Sequence, residues 1–211
     1  KHPAVSPGPS RGTSHRLTVH GAAGYFRSGS GTSHRMCSIA GIFAPRRSFA
    51  AIDDASAAVN RMNAVLAHRG PDGDGVWVDS SGSCVLGHRR LSVIDTSDAG
   101  RQPMLSHDGR RVIVFNGEIY NYRELRRDLE ATGIAIRTNT DTEVLLAAIE
   151  RWGTDALPRL DGMFALAVFD MISGELLLAR DPFGEKPLYY TRLPGGAIAF
   201  ASELTALEQI E

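Results

Sequence analysis

Cysteine is scarce in this chain: Cys37 and Cys84 are the only two among 211 residues. Neither stands in a CxxC or Cys/His spacing, which argues against a disulfide scaffold and against a zinc module. A reducing cytoplasm is the expected compartment. Charge of one sign is missing as well, since 23 Lys and Arg face 24 Asp and Glu with no long basic run. Nucleic acid is therefore not an expected partner. No apolar run approaches the roughly 20 residues that span a bilayer. Residues 1–35 also lack the apolar core, about 7–15 residues long, of a secretory leader. Neither membrane insertion nor export is expected. Acidic residues are absent from that same segment, which is rich in Ser, Gly, His, Arg and Pro and shows no sustained period, and it reads as a disordered extension.

The texture changes at "MCSIAGIF", where Ile39, Ala40, Ile42 and Phe43 suit a buried strand. Asp53 or Asp54 is placed to cap a helix whose apolar positions Ala55, Ala58, Val59, Met62, Val65 and Leu66 recur at helical spacing. Strand-like runs follow around Gly75–Val78, Cys84–Gly87, Leu91–Ile94 and Val112–Phe115. Two helices are predicted next, from about Tyr122 to Ala131 and from Asp141 to Trp152, the second with Thr140 and Glu143 at capping-box spacing. After Pro158 come "GMFALAVFD", "GELLLARD", "KPLYYTR" and "AIAFAS", each strand-like and closed by a turn signal. Strands, then helices, then strands imply sheets covered by helices, an α+β arrangement in one domain from residue 36 to 211.

Cys37 is the residue whose position carries chemistry. If Met36 is the initiator and is removed, the thiol shares its residue with a free α-amine of pKa about 7.7–8.0, a usable general base near neutral pH. Within a chain its nitrogen has no such basicity. "VFNGEIYN" offers two readings: Asn-Gly is a strong hairpin signal, and the Asn116 amide with the Gly117 N–H also makes a candidate oxyanion hole. Arg90 in "GHRRLSVID" has the planar fork for a carboxylate, with Arg89 expected on the opposite face. Asp141, in a first helical turn, suits a substrate ammonium. Thiol, oxyanion donors, carboxylate clamp and ammonium acceptor together describe a site for glutamine. Cys84 reads as a packing residue. "GPDGDG" reads as a turn, because it lacks the spaced ligands of a calcium loop, and no metal is expected.

The motifs "MCSIAGIF", "AHRGPDGDG", "GHRRLSVID", "QPM", "FNGEIYNYREL", "NTDTEVLL", "LDGMFALAVFD" and "RDPFGEKPLYY" resemble, in order and spacing, the amino-terminal glutaminase domain of glutamine-hydrolysing asparagine synthetases. The resemblance covers Met36 to about Ala206. It implies the four-layer αββα sandwich of N-terminal nucleophile hydrolases. Cys37 would be the terminal nucleophile, with Asn116 and Gly117 forming the oxyanion hole. Arg90, Val93, Ile94, Glu118 and Asp141 would hold glutamine. No cofactor is implied for this half. ATP and Mg²⁺ would serve a second, synthetase domain in cis whose SGGxDS-type loop does not occur here, and a homodimer is compatible with the family. Two other readings stay open: a glutaminase serving a different acceptor, and a non-catalytic remnant.

Overall fold

The computed structural model describes residues 16–20, 36–45, 52–91 and 100–210, with backbone alone at 52 and 53. Among the described residues, ten strands and four α-helices run β1 Leu17–His20, β2 Ser38–Phe43, α1 Ile52–Val65, β3 Gly73–Val78, β4 Cys84–Arg90, β5 Met104–Leu105, β6 Arg111–Ile119, α2 Tyr122–Ala131, α3 Asp141–Trp152, β7 Gly162–Asp170, β8 Glu175–Arg180, β9 Tyr189–Arg192, β10 Ile198–Ala201 and α4 Leu204–Leu207. They form two five-stranded sheets, ordered β1-β8-β7-β6-β5 and β3-β4-β2-β10-β9.

The alternation of each strand decides the layering, because successive side chains leave a strand on opposite faces. On β6 and β7, Val112, Val114, Ala165, Ala167 and Phe169 meet Ile39, Phe43, Cys84, Leu86 and Phe200 of the other sheet. Their alternates Ile113, Phe115, Phe164, Leu166 and Val168 instead pack under α2 and α3, against Leu125, Leu129, Val144, Leu145 and Ile149. On the far side, Ala40, Ile42, Val85 and Ala199 pack against Ala58, Val59 and Met62 of α1 and Ala206 of α4. The order is helices, sheet, sheet, helices, so both sheets are apolar on two faces. Cys84 sits fully buried between the sheets as a packing residue.

Several local readings change. Leu17–His20, within the segment read as disordered, forms β1 and pairs in parallel with Leu176–Ala179. That pairing is made by main-chain groups at a sheet edge, with the Arg16 carbonyl accepting from the Leu176 N–H at 2.9 Å, and composition does not register it. The helix predicted from Asp53 or Asp54 begins at Ile52, so both acids lie inside its first turn. The strand predicted at Leu91–Ile94 is not seen at Leu91, and Val93 and Ile94 lie outside the described residues. The capping box is half made: Thr140 accepts from the Glu143 N–H at 3.2 Å. The Glu143 carboxylate turns away to the Arg137 N–H at 2.9 Å and to Thr138. Among the described residues, no helix is long and apolar enough to cross a membrane.

Candidate active site

Period-two alternation carries four of the expected site residues to one place. Cys37 continues the inter-sheet face of Ile39 and Phe43, and Asn116 and Glu118 continue that of Val112 and Val114. Arg90 continues the face of Cys84, Leu86 and His88 on β4, which runs past the predicted Gly87 to Arg90. Antiparallel pairing of Ser38 with Arg89 sets the start of β2 beside the end of β4, so Cys37 and Arg90 meet at one end of the sandwich. There a cleft of about 270 Å³ is lined by Met36, Cys37, Arg90, Asn116, Gly117, Glu118 and Asp141, together with His88, Gln102 and Lys186. Arg89 faces away, as expected, donating to the Gly70 carbonyl at 3.1 Å and pairing with Asp74.

The Asn-Gly pair is not a hairpin. It lies within β6, with Asn116 opposite Ala165 and Gly117 opposite Phe164 of β7. Glycine is required there by close approach: a Cβ at Gly117 would stand 2.2 Å from the Met163 carbonyl oxygen. Asn116 is 1% exposed, and its amide nitrogen has no hydrogen-bond partner. A buried donor with no partner costs on the order of 1–3 kcal/mol, a cost removed when an acceptor enters the cleft.

Around the thiol, the Leu91 N–H donates to the Cys37 sulfur at 3.2 Å, and the Leu91 carbonyl lies 3.4 Å from it. Burial pushes the thiol pKa up, and Asp141 adds to the rise. The Leu91 backbone and the Arg90 guanidinium oppose it. The Asp141 carboxylate accepts the Ile119 N–H at 3.1 Å, tying the start of α3 to the end of β6. Burial raises its pKa, the Ile119 and Thr142 N–H groups lower it, and Glu118 raises it.

Three lining residues carry no role in the sequence reading. His88 is held neutral by burial, its pKa lowered to about 3 against the opposing pull of the Phe115 backbone. Its signal was the same alternation that places Arg90. Gln102 accepts the Phe115 N–H at 2.6 Å and donates to the Thr142 hydroxyl at 3.4 Å. It thereby links β6 beside Asn116 to α3 beside Asp141. Lys186 reaches in from "RDPFGEKPLYY", a run that reads as family signature without a catalytic part.

The geometry has relatives. Residues 36–211 match the family model described as a glutamine amidotransferase domain. The chain is 44% identical over 172 residues to asparagine synthetase [glutamine-hydrolyzing] 1 of Bacillus subtilis, covering 82% of this chain and 26% of that protein. It is 36% identical over 172 residues to asparagine synthetase B [glutamine-hydrolyzing] of Escherichia coli, covering 82% of this chain and 30% of that protein. The chain thus spans about a quarter of the length of the Bacillus relative. Among solved structures, the glutamine phosphoribosylpyrophosphate amidotransferase of B. subtilis superposes with a TM-score of 0.66 at 25% identity, over 82% of this chain and 43% of that one. The superposition shows that the fold is shared with that amidotransferase.

Proposed function

Because the chain belongs to the glutamine amidotransferase domain family, we propose that its cleft hydrolyses the side-chain amide of glutamine to glutamate and ammonia. The observation that carries this reading is the buried, partnerless amide of Asn116 facing the same cleft as the Cys37 thiol. A preorganised donor acts where charge develops in the transition state.

Cys37, as thiolate, attacks the amide carbon and the carbonyl π-electrons move to oxygen. Asn116 Nδ2–H and the Gly117 N–H bind that oxyanion. Collapse breaks the C–N bond, the nitrogen takes a proton and leaves as ammonia, and a γ-glutamyl thioester remains. Water then adds to the thioester, releasing glutamate and the thiol. Arg90 holds the substrate carboxylate, while Asp141 and Glu118 hold its ammonium. Val93 and Ile94 complete the glutamine-binding segment. The base is the α-amine of Cys37, freed when the Met36–Cys37 bond is cut. In the uncut chain the Met36 N–H donates to the Arg69 carbonyl at 3.1 Å, and Met36 lines the cleft.

The ammonia serves an ATP- and Mg²⁺-dependent synthetase domain in cis that amidates aspartate to asparagine, in a cytoplasmic enzyme that can pair as a homodimer. Support for the acceptor comes from the two relatives' names. ATP and Mg²⁺ belong to that other domain, and residues 36–211 act without a cofactor. Residues 1–35 are absent from the mature enzyme on this reading. The test is glutamate release by protein whose mass places its terminus at Cys37. Cys37→Ala should abolish release while leaving the far-ultraviolet dichroism unchanged. Retained hydrolysis would end the nucleophile assignment.

A further inference from the structure

Lys186 is a cation in an unusual setting. It is 5% exposed, it lines the cleft, and its ammonium contacts the Met36 sulfur at 2.8 Å. A thioether is a weak acceptor, and among the described residues no carboxylate stands within ion-pair distance of Nζ. A buried ammonium without an anion is costly, so the loop that holds it there needs its own support. Asp181 supplies that support: its buried carboxylate accepts the backbone N–H groups of Lys186 at 3.0 Å, Glu185 at 2.9 Å and Phe164 at 3.3 Å. The Arg180 guanidinium closes the same turn by donating to the Gly184 carbonyl. Lys186 is therefore delivered into the cleft by a turn pinned at three backbone positions.

We infer that Lys186 is the electrostatic partner of the Cys37 thiolate, a positioning residue whose ammonium, now resting on the Met36 thioether, serves the ionised sulfur across the cleft that both residues line. This deepens the glutaminase reading and rests on it for function. The charges facing the pair are Arg90 and neutral His88 from β4, Glu118 from β6, Asp141 from α3, Arg69 after α1 and Glu185 from the loop itself. Burial and Arg69 press Lys186 toward its neutral form, whereas Glu185, an ionised Cys37 and Glu118 favour the ammonium. At the sulfur, Arg90 favours the thiolate and Asp141 opposes it. Because an ionised Cys37 favours the Lys186 ammonium, the ammonium by reciprocity favours the thiolate. Once Met36 is gone, the same ammonium also discourages protonation of the α-amine that must act as base, since like charges side by side favour the neutral form.

The test reads the thiolate directly. The rate of iodoacetamide alkylation is followed in the full chain from about pH 6 to about pH 8.5, below the raised thiol pKa, where it scales with the thiolate fraction, with the labelled peptide identified by mass. Cys84, fully buried, is the silent control, and Cys37→Ala gives the blank. Lys186→Met should lower the rate about tenfold across that range, as a thiol pKa about one unit higher requires, at the low end of the range for loss of a nearby opposite charge. Lys186→Arg should keep the wild-type value. Lys186→Gln gives the same reading as Met if the Met variant fails to fold. An unchanged rate in the neutral variants overturns the inference, even with hydrolysis intact. A lowered rate without glutamine hydrolysis by the trimmed wild type supports the pairing and overturns the glutaminase reading instead.

Discussion

On the proposed reading, Asn116, Arg90 and Asp141 divide the work of the cleft between charge that develops during reaction and charge already present on the substrate. The Asn116 amide is buried and idle until an oxyanion forms, so its removal should act on the transition state. Asn116→Ala is expected to cost about 2.7–4 kcal/mol, seen mainly as lower kcat. Arg90 and Asp141, on the same reading, would meet groups whose charges are the same in ground and transition states. Their alanine variants should raise KM with kcat nearly held, and steady-state kinetics at saturating glutamine separates the two patterns. A KM effect from Asn116 alone would reduce it to a substrate contact. All three were candidates in the sequence, because their chemistry is intrinsic to the residue type, and they line one cleft. Lys186 and Gln102 were not: a lysine in a turn is ordinarily solvated, and only the Asp181-pinned loop turns this one inward.

Among the elements, β6 and α3 matter most, because the cleft lies where their ends meet. Gln102 and the Asp141–Ile119 bond join them, and the Thr140 cap starts the helix where Asp141 is needed. Replacing Thr140 by Val removes the acceptor for the Glu143 N–H and should destabilise the chain by about 1 kcal/mol, read as a lower urea midpoint. An unchanged midpoint would show that Thr138 and the Glu143 carboxylate hold the turn without it. The bounds of α2 and α3 agree with the pattern in the sequence, since strong amphipathic periodicity and a cap are local signals. The Asn-Gly reading divided differently. Its hairpin sense failed because β6 continues to Ile119, and the glycine answers to the neighbouring Met163 carbonyl, a contact 46 positions away in the chain.

Over the whole molecule, the inter-sheet layer excludes water from Cys84, Phe169 and His88 alike, and it gives the fold a pH dependence. His88 has an ordinary value of 6.5 and is lowered to about 3 by burial. The folded state therefore binds fewer protons than the unfolded chain between those values, and stability rises with pH across that window. The contribution is present in full above about pH 6.5 and is lost as pH falls toward 3. His88→Phe should flatten that part of the profile, measured as the urea midpoint near pH 7 and near pH 5. An equal drop in both proteins would place the acid sensitivity elsewhere.

By itself the sequence determined the residue chemistries, the extent of most elements and, through alternation, which strand residues share a face. These follow from side-chain type and from the fixed periods of strand and helix, which need no distant partner. Tertiary structure decided which faces meet: that two sheets stack with Cys37, Arg90 and Asn116 at one end, and that an Asn-Gly pair stays in a strand. It also decided that Leu17–His20 lends a strand to β8 and that Lys186 turns into the cleft that Cys37 lines. Each of these is a contact between residues far apart in the chain, set by packing and by backbone groups that carry no residue signature.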